Sequence, residues 1–121
     1  MNSKKTIVLG ASTNPSRYSF MAVNRLKQHN HEVIPVGIKK GEIAGIPIQN
    51  GHPIHQEVDT VTLYVGPANQ KEYYDYLLSL KPKRVIFNPG TINYELMEQL
   101  KKGNIEVIDA CTLVMLASDT Y

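Results

Sequence analysis

The feature that most constrains this chain is a repeated alternation in which a short apolar run is followed by a turn and then by a segment with helical spacing. The apolar runs are Ile7-Val8-Leu9, Glu32-Val33-Ile34-Pro35-Val36, Thr60-Val61-Thr62-Leu63-Tyr64-Val65, Arg84-Val85-Ile86-Phe87 and Ile105-Glu106-Val107-Ile108. The first is short, β-branched and without polar alternation, as in a parallel strand covered on both faces. Between the runs, a helix is predicted over Tyr18–Gln28, with Met21, Ala22, Val23 and Leu26 facing the sheet. A second opens at Ala68-Asn69-Gln70 and carries Tyr73, Tyr76, Leu77 and Leu80 at i, i+3, i+4, i+7. A third covers residues 94–101, capped by Asn93 and stopped by Gly103, and a short terminal helix covers 113–117. This alternation predicts a three-layer α/β domain: a parallel sheet of about five strands with helices on both faces. At 121 residues the chain is expected to be one domain, 1–121.

A sheet of this kind binds its ligand outside the carboxyl ends of the strands, at the point where the strand order reverses. The loops at residues 10–19, 36–40, 65–67 and 88–93 are all expected there. In the first, Gly10-Ala11-Ser12 removes side-chain bulk so that backbone N–H groups can approach a ligand, and the helix behind it directs its positive end at the same place. An anion suits such a loop. A tight strand-to-helix connection also accounts for Gly10-Ala11-Ser12, and the spacing is not Gly-x-Gly-x-x-Gly, since Ser12 and Pro15 stand at the second and third glycine positions.

The end of the second strand discriminates among nucleotides. A nicotinamide-adenine site places an Asp or Glu there to hold the ribose hydroxyls, whereas this chain reads Val36-Gly37-Ile38-Lys39-Lys40. Two lysines and no acid favour a ribose carrying an extra phosphate, as in CoA or NADP; a solvated lysine pair on a loop is the other reading.

Several classes are set aside. A net charge of +2 is too small for a nucleic-acid surface, and no apolar run approaches the length of a membrane span. One cysteine, Cys111, allows no internal disulfide, and Met1-Asn2-Ser3-Lys4-Lys5 leads into a strand, so a cytoplasmic protein is expected. His29 and His31 read as solvated cap residues. His52 and His55 have too few further ligands nearby for zinc, so no metal site is assigned. No catalytic set assembles either. Cys111 lacks a base and reads as a small buried hydrophobe, no Ser-His-Asp arrangement or carboxylate pair stands out, and none of the seven tyrosines has a lysine four residues on.

The order of loops resembles the small stand-alone CoA-binding proteins of the Rossmann type, related to the CoA-binding domain of the succinyl-CoA synthetase alpha subunit. The resemblance covers nearly the whole length. It is carried by Val8-Leu9-Gly10-Ala11-Ser12 with Asn14-Pro15-Ser16-Arg17-Tyr18-Ser19, by Val33-Ile34-Pro35-Val36, by Ile43-Ala44-Gly45, by Gly90, Ile92, Asn93 and Glu95, and by Val107-Ile108-Asp109 with Cys111. It implies that Gly10, Ala11, Ser12, Asn14, Pro15, Arg17, Tyr18 and Ser19 meet the pyrophosphate and pantetheine of CoA. It also implies that Val36, Gly37, Ile38 and Lys39 border the adenosine, that Val65, Gly66, Pro67, Pro89 and Gly90 line the groove, and that Asn93 belongs to the same site. The chain departs from the family pattern at Val36-Gly37-Ile38 (often Val-Asn-Pro), at Asp109-Ala110-Cys111 (often Asp-Arg-Cys), and at Tyr64-Val65-Gly66-Pro67, which lacks a common Arg.

The expected function is binding of CoA or an acyl-CoA, a small-molecule nucleotide ligand, by a non-catalytic binding or regulatory module. A protein partner or a homo-oligomer is compatible with it. Two alternatives stand beside it: an NADP-binding oxidoreductase-like protein, and an interaction protein that has kept the fold and lost the ligand.

Overall fold

A computed structural model describes residues 3–121. Its main sheet is five-stranded and parallel, built from β1 (Thr6–Leu9), β2 (Val33–Val36), β5 (Thr60–Leu63), β6 (Arg84–Phe87) and β7 (Glu106–Asp109) in the order β2-β1-β5-β6-β7. Four of these strands bury every residue; the edge strand β7 does not. Burial on both faces is what the non-alternating apolar runs encode.

The four helices are α1 (Tyr18–Gln28), α2 (Tyr74–Leu80), α3 (Tyr94–Lys102) and α4 (Thr112–Ala117). Alternate strand residues divide between two layers. Ile7, Leu9, Val61, Leu63, Val85 and Phe87 pack with Tyr76, Leu77 and Leu80 of α2 and Leu96 and Leu100 of α3. On the opposite face Val8 packs with Val23 and Leu26 of α1 and Leu116 of α4. The predicted three-layer architecture is therefore present.

Proline in β2 fits because that strand lies at the edge of the sheet. Beyond it, the crossover forms a small antiparallel hairpin, β3 (Glu42–Ile43) with β4 (Ile46–Pro47), and then covers the outer edge of β2 through a bridge between Val36 and Gln49.

Two sequence expectations change here. The helix expected from Ala68 begins as two 3-10 turns, Pro67–Asn69 and Lys71–Tyr73, and becomes α-helical only at Tyr74. Gln70 lies between the two turns, and its buried side chain reaches sideways to the backbone of two loops. Cys111, read as buried, is only half-buried at the amino end of α4. Among the described residues no helix is long and apolar enough to cross a membrane.

Candidate functional site

The chain leaves β1 toward β2 on one side and returns to β5 on the other, so the strand order reverses between β1 and β5. A cleft of about 670 Å³ opens there at the carboxyl ends of the strands, within the range of small-molecule and cofactor sites. All four loops expected at this end contribute to it.

The loop after β1 contributes Gly10, Ala11, Ser12 and Thr13. Gly10 has φ +97°, and a Cβ there would meet the Tyr64 carbonyl carbon at 3.0 Å and the Val65 nitrogen at 3.1 Å. Glycine at this position thus lets the loops after β1 and β5 touch. The Gly10 and Ala11 N–H groups are directed to the Val36 carbonyl at 2.9 Å each, so they brace the loop and are not free for a ligand.

Next along the chain, α1 presents its amino end to the cleft through Arg17, Tyr18 and Ser19. Arg17 occupies the cap position with extended geometry and no side-chain cap, and the first turn holds no acid. Uncapped N–H groups together with the helix dipole make an electropositive end without a partner of its own.

The loop after β2 adds Gly37, Ile38 and Lys39. A Cβ on Gly37 would collide with the Ala11 carbonyl oxygen, so only glycine allows these two loops to pack so closely. The Asn50 amide fixes the turn, donating to the Gly37 carbonyl at 2.8 Å and the Lys39 carbonyl at 3.1 Å. Where the family pattern has Asn in the loop itself, here an asparagine from the crossover braces it.

Opposite, Tyr64, Val65, Gly66, Asn69, Glu72 and Tyr73 follow β5, and Pro89, Gly90 and Thr91 follow β6. These two walls are tied together by Gln70, whose Nε2 donates to the Val65 carbonyl at 2.8 Å and the Thr91 carbonyl at 2.7 Å. Asn93 Nδ2 donates in turn to Gln70 Oε1 at 3.0 Å and to the Tyr74 hydroxyl at 2.8 Å, while Asn93 Oδ1 caps α3 at the Leu96 N–H. Burial pushes the Tyr64 hydroxyl up to about 12, and burial also raises Tyr73, with the Glu72 charge adding to it. Both phenols therefore stay neutral across the physiological range.

Of the residues read as ligand-binding, Gly10, Ala11, Ser12, Arg17, Tyr18, Ser19, Gly37, Ile38, Lys39, Val65, Gly66, Pro89 and Gly90 line this cleft. Asn14, Pro15, Val36, Pro67 and Asn93 do not line it. Asn14 shapes its own loop, its Oδ1 accepting from the Ser16 N–H at 3.0 Å and the Ser16 hydroxyl at 2.8 Å. Val36 is in β2 and buried, and Pro67 opens the first 3-10 turn. Asn93 acts behind the wall through Gln70.

Thr13, Tyr64, Asn69, Glu72, Tyr73 and Thr91 also line the cleft and were not singled out from sequence. Tyr73, a core residue as its place in the stripe implies, is only 6% exposed, and at the end of such a stripe it serves both core and cleft. The four histidines lie outside the cleft. His52 stacks on Tyr76 with centroids 5.0 Å apart, and His55 is hydrogen-bonded to Gln49 at 2.8 Å. His29 is an exposed cap of α1, as read; His31 is instead half-buried, its Nδ1 accepting from the Lys4 N–H at 2.9 Å.

Comparison with solved structures places the same fold in several proteins. A crystal structure of an uncharacterized protein is 55% identical, covers 100% of each chain and superposes with a TM-score of 0.97. A hypothetical protein from Pyrococcus horikoshii OT3 is 24% identical over 97% of this chain and 84% of its own, with a TM-score of 0.87. The dinucleotide forming acetyl-coenzyme A synthetase 1 of Ca. Korarchaeum cryptofilum, in complex with phosphate and ADP, matches at 16% identity over 89% of this chain and 26% of its own, with a TM-score of 0.75. No curated protein matches the chain. The family model described as CoA binding domain matches residues 4–117, and with that match across nearly all of its length the chain belongs to the CoA binding domain family.

Proposed function

We propose that the cleft binds CoA or an acyl-CoA and that the chain, as one domain over residues 1–121, is a non-catalytic binding or regulatory module. The observation that carries this reading is the uncapped, acid-free amino end of α1 facing a cleft that also holds Lys39 at the end of β2. The pyrophosphate sits over the segment formed by Ser12 and Thr13 and the first turn of α1, where Arg17 adds a second positive charge. Lys39 takes the ribose phosphate, and pantetheine runs between the walls of Val65-Gly66 and Pro89-Gly90.

The non-catalytic part of the reading is supported by the side chains available. Among the described residues no histidine or cysteine lines the cleft, and the Tyr64 and Tyr73 phenols that line it are kept neutral by burial. NADP shares the ribose phosphate that Lys39 would hold, and it is the competing ligand.

Calorimetric titration of the purified protein with CoA, acetyl-CoA, dephospho-CoA, NADP and NAD tests the reading. CoA and acetyl-CoA are expected to bind, with dephospho-CoA weaker and NAD absent. Binding of NADP in preference to CoA would transfer the site to a reductase-like protein, and binding of none of the five would leave an interaction protein that has lost its ligand.

A further inference from the structure

The cleft is unevenly charged along its length. Strand order puts the loop after β2 at one end, the loop after β1 next to it, and the loops after β5 and β6 at the other end; at the usual strand spacing the span from β2 to β6 is about 14 Å. The basic side chains that line it, Lys39 and Arg17, belong to the first two loops. The far end carries Glu72 and, among the described residues, no lysine, arginine or histidine.

Glu72 reaches the cleft from the second 3-10 turn, Lys71–Tyr73. Around it, Gln70 and Tyr73 are buried at 0% and 6% exposure and anchor the backbone of Lys71–Tyr73, while the Lys71 and Glu72 side chains are exposed. The nearest charges in sequence, Lys71 and Asp75, do not line the cleft. A carboxylate lining one end of a cleft, where no cation lines it among the described residues, repels a second carboxylate brought to the same place.

We infer that the cleft selects CoA thioesters whose acyl group is uncharged, and that Glu72 disfavours acyl groups ending in a carboxylate. The inference rests on the CoA reading above. With the ribose phosphate at Lys39, a ligand crossing the loops in strand order delivers its thioester to the end where Glu72 stands. The specificity is electrostatic, not steric, because Glu72 is exposed at the cleft and does not fill it.

The test is calorimetric titration of the wild type and Glu72→Gln with CoA, dephospho-CoA, acetyl-CoA and malonyl-CoA at low salt. The wild type is expected to bind malonyl-CoA about fivefold more weakly than acetyl-CoA, an effect of the size that one partly screened charge produces. Glu72→Gln is expected to bring the two within about twofold, as is raising the salt to about 0.5 M, where exposed charges separated by more than a few Å are screened. Equal affinities in the wild type, or an undiminished gap in Glu72→Gln, overturn the inference while leaving CoA binding intact. A Glu72→Gln protein whose ratio of CoA to dephospho-CoA affinity changes instead shows that the ribose phosphate lies at the Glu72 end, which overturns it as well. Failure of the wild type to bind CoA at all removes the underlying reading and this inference with it.

Discussion

Asn93 donates to Gln70 at 3.0 Å, and through that bond the amino end of α3 is joined to the one side chain that holds both far walls of the cleft. Gln70 is fully buried, 0% exposed, so its amide has no water to fall back on. Replacing it with leucine leaves the Val65 and Thr91 carbonyls without this partner and takes from the Asn93 amide one of its two acceptors, the Tyr74 hydroxyl remaining. Gln70→Leu is expected to destabilise the protein by about 3 kcal/mol, the cost of orphaning buried polar groups, and to weaken CoA by separating the walls. Urea denaturation read by circular dichroism gives the first number and titration of the folded variant the second; an unchanged midpoint would show that the clamp carries no stability.

Gly37 and Gly45 make a matched pair. A Cβ at Gly37 would strike the Ala11 carbonyl oxygen, which is backbone and cannot swing aside, whereas Gly45 has open space around it and only its φ of +81° to oppose a side chain. Gly37→Ala is expected to cost about 2 kcal/mol by overpacking, and Gly45→Ala about 1 kcal/mol from left-handed backbone alone. Paired thermal melts check the order, and a larger loss at Gly45 would contradict the contact between the two loops. By the same geometry Gly10→Val is a folding variant before it is a binding one, because its Cβ would press on the Tyr64 and Val65 backbone.

Lys39 is exposed on the cleft rim and contributes no packing that its loss would disturb. Lys39→Glu is expected to weaken CoA by about tenfold and dephospho-CoA by less than about threefold, since the charge acts on the ribose phosphate across partly screened solvent. Titration with both ligands reads the difference. Equal losses would take Lys39 away from that phosphate.

His31 lies at the opposite end of the sheet, where its ring packs against Tyr121 at 4.9 Å and its Nδ1 accepts from the Lys4 N–H. Burial lowers its pKa below 6.5, and His29, Lys4 and Arg84 lower it further, with Asp59 opposing them. The folded state therefore binds fewer protons than the unfolded state as pH falls from 6.5, and stability is lost over that interval. The midpoint for chemical denaturation is expected to fall between pH 7 and pH 5.5 in the wild type and to fall less in His31→Asn. Parallel slopes for the two proteins would assign the loss to other groups.

Much of the fold was legible in the sequence because its signals are local. The helical spacing over Tyr18–Gln28 has the bounds of α1, Arg84-Val85-Ile86-Phe87 is β6 residue for residue, and Asn93 caps α3 as its position before Tyr94 implies. Apolar periodicity and turn residues determine such elements because each depends on neighbours only a few positions away. Alternation of strand and helix likewise determined the parallel sheet, and with it which ends of the strands carry the cleft. Tertiary structure alone decided which residues of those loops face inward. Asn14 satisfies its own turn, and Glu72, Tyr73 and Thr91 line the cleft beside the two distant loops that Gln70 ties together. That bridge spans residues 21 apart in sequence, so no local pattern announces it: a buried amide has to find partners wherever packing brings them.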